Sequence, residues 1–139
     1  MWRTLERADV VVMVLDSRIP LFHLSDAILH YIRQDLHKPV VLCINKCDMI
    51  PPPVADLWVT FLTARHPDIP VVAFYVPKST SGVVGQPSVD ALMAAIRSRT
   101  LLRDGVSLTV GQIVDAAVKG TAQGSGGGGG GGGGAAGGR

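Results

Sequence analysis

Cysteine is nearly absent: the 139 residues carry two, Cys43 and Cys47. No C-x-x-C pair exists, and the four histidines, His23, His30, His37 and His66, lack metal-ligand spacing. No structural zinc or other metal site is therefore expected. So few thiols fit a reducing, intracellular compartment. No apolar run reaches membrane-spanning length, and the opening Met1-Trp2-Arg3-Thr4-Leu5-Glu6-Arg7 is charged where a secretion signal needs an apolar stretch. No membrane partner is expected. Also missing is G-x-x-x-x-G-K-[ST], the loop whose amides and lysine cradle a nucleotide's phosphates, and there is no D-x-x-G. No acid–base pair or nucleophile triad can be picked out, so no catalytic residue is assigned.

Charge of either sign is also in short supply. The net charge is +2, with acidic and basic residues interspersed. The nearest approach to a basic patch is Arg97, Arg99 and Arg103, read as a solvated helix end that suits the helix dipole. Glycine is the residue in excess, and it is concentrated: nine in succession fill 126–134. Such a tract has maximal backbone entropy and nothing to bury, so 120–139 are expected to be a disordered tail. Residues 1–119 are then one domain.

Within that domain strand-like and helix-like segments alternate. Val10–Leu15 and Val40–Ile44 are uninterrupted apolar runs rich in β-branched residues, as in strands buried on both faces. A third strand is expected over Val71–Val76. Ser25 is a suitable N-cap for an amphipathic helix to about Leu36, with Pro20 discouraging an earlier start. A second helix is expected from Pro53 or Val54, with Leu57, Trp58, Phe61 and Leu62 as its core face. Ser88 should cap a third helix that buries Val89, Leu92, Met93 and Ile96. Thr109 and Gln112 form a capping box, with Leu108 and Ile113 as a staple, for a last helix closed by Gly120. The fold class is α/β, three parallel strands with about four helices and right-handed crossovers. Val10–Leu15 is too apolar for an edge and expects a further strand beside it.

The informative point is where the second run stops, at Asn45-Lys46-Cys47-Asp48. Open α/β sheets bind ligands at the carboxyl ends of their strands. Asn-Lys-x-Asp placed there resembles the guanine-recognition motif of GTPases. The resemblance implies that the Asp48 carboxylate accepts from guanine N1–H and N2–H₂ together, a charge-assisted pair that adenine cannot offer. Asn45 would brace the loop and face the O6/N7 side, and Lys46 would lay its stem over the base.

Trp2-Arg3-Thr4-Leu5-Glu6-Arg7, then Ala8-Asp9-Val10-Val11-Val12, then Asp16-Ser17-Arg18-Ile19-Pro20 sharpen the match. Over about residues 1–76 the chain resembles the N-terminal portion of the circularly permuted GTPases of ribosome assembly, the nucleolar guanine nucleotide-binding-protein-like group. That resemblance implies a partial P-loop-GTPase-like, three-layer fold, with GTP or GDP as ligand and magnesium only where the phosphate half is present. It implies a pre-ribosomal particle or RNA as partner, with the missing half of the G domain, and a cytoplasmic or nuclear, including nucleolar, location. Pro77-Lys78-Ser79-Thr80-Ser81 stands where the family has a Ser-Ala loop, so Ser79 is the candidate for a contact to guanine O6; Lys78 is a weaker candidate for reaching the nucleotide. In the permuted order the phosphate half would lie beyond residue 139. Two alternatives stay open: the C-terminal half of an ordinary-order GTPase, and a non-catalytic α/β interaction module that has lost the nucleotide.

Lacking a phosphate clamp and a positioned water, the purified chain is expected to show no single-turnover GTP hydrolysis. Detectable phosphate release that disappears in Asp48→Ala would overturn that expectation.

Overall fold

The computed structural model describes residues 2–75, 86–103 and 105–124. Ser79, Lys78 and the glycine tract lie outside the described residues. The domain is α/β: after a short helix α1 (Trp2–Arg7) comes a parallel sheet in the order β1 (Val11–Asp16), β2 (Val40–Asn45), β3 (Val71–Ala73). The register is Val11 on Val40 through Asp16 on Asn45, and Leu42 on Val71 through Ile44 on Ala73. β1 and β2 each end one residue past their apolar runs. β3 stops at Ala73, short of the expected Val71–Val76, because β2 gives way to its loop there. Phe74 bonds Ile44 O and Cys47 N–H instead of a further strand residue.

The face formed by Val11, Met13, Leu15, Leu42 and Ile44 is covered by two helical segments. One is α3 (Asp26–His30), prolonged by a π turn (Tyr31–Asp35); the other is α4 (Pro52–Arg65). Ser25 caps α3 as expected, its hydroxyl accepting from Ile28 N–H at 3.4 Å. The π turn is marked by Leu36 N–H donating to Tyr31 O, five residues back, at 3.0 Å. His37 then reverses the chain at φ 51°, a left-handed position that helices commonly use to stop. Pro20, expected to delay helix formation, instead opens a one-turn helix α2 (Pro20–His23); proline fits the first helical position because that N–H has no intrahelical partner anyway.

On the other face Val41, Cys43 and Val72 are buried as well. There α5 (Gln86–Arg97) packs beside β2 and β3. The β1 end of that face is open, with Val14 58% exposed.

Several expectations need correction. In α4 the core stripe is Ala55, Trp58, Val59 and Leu62, while Leu57 and Phe61 are 68% and 44% exposed. The spacing i, i+3, i+4, i+7 from Ala55 defines the buried stripe, and Leu57 and Phe61 fall outside it. They line an apolar hollow of about 490 Å³ with Leu21, Val54 and Trp58. In α5 the start is Gln86, so Ser88 lies inside the first turn and is buried, and Met93 is exposed. A hairpin was missed: β4 (Thr100–Arg103) pairs antiparallel with β5 (Val106–Thr109). Gly105, in the short connection between them, takes φ 78°, a conformation that glycine tolerates at such turns.

The capping box holds. Thr109 N–H donates to Gln112 Oε1 at 2.8 Å and Gln112 N–H to Thr109 Oγ1 at 3.2 Å, opening α6 (Val110–Gly124). The helix runs past Gly120 because Thr121-Ala122-Gln123 tolerate it, an internal glycine costing only about 1 kcal/mol. Among the described residues no helix is long and apolar enough to cross a membrane.

Truncating Leu62, fully buried on α4, is expected to cost about 2–5 kcal/mol in urea unfolding. Leu57→Ala, on the exposed stripe, should change stability by about 0.5 kcal/mol or less. The reverse ranking would mean that α4 turns its other side to the sheet.

Candidate functional site

At the carboxyl end of β2 the buried strand becomes polar within one residue. Asn45 Oδ1 accepts from Lys46 N–H at 2.8 Å, a local brace of the kind expected for Asn45. Lys46 itself is left-handed, at φ 64° and ψ 33°. That reversal starts a single 3₁₀ turn, Cys47–Met49, closed by Met49 N–H donating to Lys46 O at 2.9 Å. Asp48 sits in this turn and is exposed.

The loop is tied down from both neighbouring strands. From β1, Ser17 N–H donates to Asn45 O at 2.9 Å, and the fully buried Ser17 hydroxyl donates to Lys46 O at 2.8 Å. From the β3 side, Cys47 N–H donates to Phe74 O at 3.1 Å and Phe74 N–H to Ile44 O at 2.7 Å. The Cys47 thiol turns inward onto Ile44 O at 3.2 Å. Burial pushes both thiols up from their ordinary values, with Cys47 adding to the effect on Cys43. Neither is in a disulfide, and their raised pKa values make them packing groups rather than nucleophiles.

Beside the loop stands a charge cluster. Asp16 accepts from Arg18 in a fork, Nε at 2.9 Å and a terminal nitrogen at 2.7 Å, and from Arg18 N–H at 3.0 Å. Its second oxygen also meets Lys46 Nζ at 3.1 Å. These bonds, Arg18's side chain first, hold the Asp16 carboxyl well below the usual carboxylate range. The bond from Lys46 to Asp16 was not readable in the sequence, because strand register brings together residues 30 apart. Ser17 was likewise overlooked as a strap. Its signal was a small hydroxyl residue directly after a strand that pairs with the motif strand.

In contrast, the Asp48 carboxylate has no hydrogen-bond or ion-pair partner among the described residues. It borders a cavity of about 470 Å³, lined also by Cys47, Ile50, Ala55, Ala73 and Tyr75, within the roughly 300–1,000 Å³ typical of small-molecule sites. Asn45, Lys46 and Asp48 are thus brought to one loop, while Ser79 lies outside the described residues. Among the described residues no group of three His, Cys, Asp or Glu side chains could hold a metal ion.

No family model matches the chain. Curated relatives do. GTPase LSG1-1 of Arabidopsis thaliana is 34% identical over 88 residues, 63% of this chain and 16% of the relative. GTPase LSG1-2 of the same plant is 40% identical over 67 residues, 48% of this chain and 11% of the relative. Human guanine nucleotide-binding protein-like 1 is 28% identical over 122 residues, 81% of this chain and 20% of the relative. Over these stretches the chain is similar to the LSG1 and guanine nucleotide-binding protein-like 1 proteins. It spans at most about a fifth of their length. The similarity to guanine nucleotide-binding protein-like 1 is longer than the 76 residues expected from the motifs, since it takes in 81% of the chain.

Asp16 contributes stability as a carboxylate whose folded pKa is depressed from an ordinary 3.8. That contribution is complete above the ordinary value and is lost as pH falls below it toward the depressed one. The difference in urea midpoint between the wild-type chain and Asp16→Asn should therefore be flat from pH 8 to 5 and shrink toward pH 2. A difference unchanged over the whole range would show that the charge on Asp16 contributes nothing.

Proposed function

We propose that the chain is the base-recognition portion of a guanine-nucleotide-binding protein, a ribosome-assembly GTPase whose G domain is circularly permuted. The observation that carries this reading is Asp48: an exposed carboxylate with no partner among the described residues, on a loop braced from both sides at the end of a buried strand. A carboxylate so placed has both oxygens available for two parallel N–H bonds from guanine, charge-assisted bonds that offset the cost of desolvating it. Lys46 supplies an aliphatic strip for the base face, and Asn45, its oxygen spent on Lys46 N–H, turns its amide nitrogen to the O6/N7 side. Ser79 is assigned the backbone approach to O6.

GTP or GDP is then the ligand, bound weakly because base contacts act without a phosphate clamp. The clamp is assigned to sequence outside these 139 residues, and so is the strand that would pair with the open edge of β1. In a parallel ladder successive residues address opposite sides. Val11 and Ser17 donate to the β2 side, which leaves the backbone of Val12, Val14 and Asp16 directed to the other. Magnesium would act on phosphates held by that missing half; no described group of side chains fits the ion, and no step is assigned to it here. For the whole protein the proposed partner is a pre-ribosomal particle or its RNA, and the proposed setting is cytoplasmic or nuclear, including nucleolar. The permuted order is preferred over the ordinary one because Asp16-Ser17-Arg18-Ile19-Pro20 follows β1.

In thermal unfolding, millimolar GDP should raise the melting temperature by about 1–3 °C. ADP should leave it unchanged, and Asp48→Ala should abolish the GDP effect. Equal responses to GDP and ADP, or none to either, would sink the guanine reading in favour of an interaction module.

A further inference from the structure

We infer that Asp16 and Ser17 are positioning residues for the guanine site, acting through Lys46 rather than on the base. The inference rests on the guanine reading above and concerns how the site is held before any ligand arrives.

Lys46 is restrained at two points, both by the end of β1. Its carbonyl accepts the hydroxyl of Ser17, which is 0% exposed, at 2.8 Å. Its ammonium lies 3.1 Å from Asp16 Oδ2. Between these points the backbone sits in the left-handed region, where a residue bearing a Cβ persists only when its surroundings hold it there. With carbonyl and ammonium both fixed, the intervening stem cannot swing freely. It remains on the surface, the side chain being 48% exposed, as an apolar strip in the place where the base is proposed to stack. Freezing a long, rotamer-rich side chain beforehand removes that ordering cost from the binding step.

Asp16 is suited to this because it is itself immobilised. Its side chain is only 12% exposed, and Arg18 takes both of its oxygens, with a third bond from the Arg18 backbone. A carboxylate gripped in that way cannot rotate to follow a wandering ammonium, so the ammonium comes to it. Restraint therefore passes from Arg18 to Asp16, from Asp16 to Lys46, and from Lys46 to the base face. Asp-Ser-Arg after one strand and Asn-Lys-x-Asp after the next are two parts of one device, joined by the pairing of Asp16 with Asn45.

The test is a ¹⁵N-NMR titration of the full chain with GDP, and with ADP as the adenine control. Asp16→Asn should weaken GDP about two- to fivefold, as expected for a partly exposed ion pair. ADP should give no response in it, as in the wild type, and Asp16→Glu should recover part of the loss. Lys46→Met keeps the stem and deletes the ammonium, and should weaken GDP as much as Asp16→Asn does. Ser17→Ala should shift and broaden the Lys46 and Cys47 amide signals before nucleotide is added. A guanine-selective response in the wild type that survives unchanged in both Asp16→Asn and Lys46→Met would overturn the positioning role alone. No guanine-selective response in the wild type would overturn the guanine reading and this role with it. If Asp16→Asn does not fold, Lys46→Met decides the question by itself.

Discussion

Burial of β2 on both faces and along both edges is the constraint from which the rest follows. Val40 to Ile44 are all out of water, flanked by β1 and β3 and covered above and below. The strand can meet solvent only at its end. A polar group placed there has a fixed foundation and nowhere to retreat, so the first polar residues after Ile44 present themselves at the carboxyl edge of the sheet. The same burial means that the loop's backbone groups need protein partners rather than water, and the neighbouring strands provide them.

Seen this way the Asn45–Met49 loop is a joint among three strands. Ser17 and Phe74 hold its backbone from opposite sides, and Asp16 holds its one long cation. What is left without a protein partner among the described residues is Asp48. That contrast in satisfaction is more informative than the presence of the motif. A loop in which every polar group had found a partner would read as structure; a loop in which one carboxylate has been left out reads as a site.

Much of this was legible because it depends on local pattern. Apolar runs with β-branched residues marked β1 and β2, Ser25 announced α3, and Thr109 with Gln112 announced α6. Asn45, Lys46 and Asp48 were legible as a candidate site because four residues in succession carry the chemistry. The failures are of two kinds. Where two apolar stripes on a helix are nearly equivalent, as for Leu57 and Leu62 in α4, only the sheet's position decides which is buried. And where residues distant in sequence meet through strand register, as Asp16 and Lys46 do, no window along the chain contains both. The β4–β5 hairpin belongs to neither class: its signal, Asp104-Gly105 between two short runs, is local and was passed over.

The open side of β1 has a consequence for how the chain behaves in bulk. A strand edge that pairs with no other strand among the described residues, flanked on one face by an exposed Val14, is an adhesive line. A net charge of +2 offers little long-range repulsion to keep two such lines apart. Among the described residues β1 therefore offers the isolated chain one line of self-association, and crowding it in solution favours pairing of like edges over dispersal. Salt will deepen that preference by screening what repulsion there is.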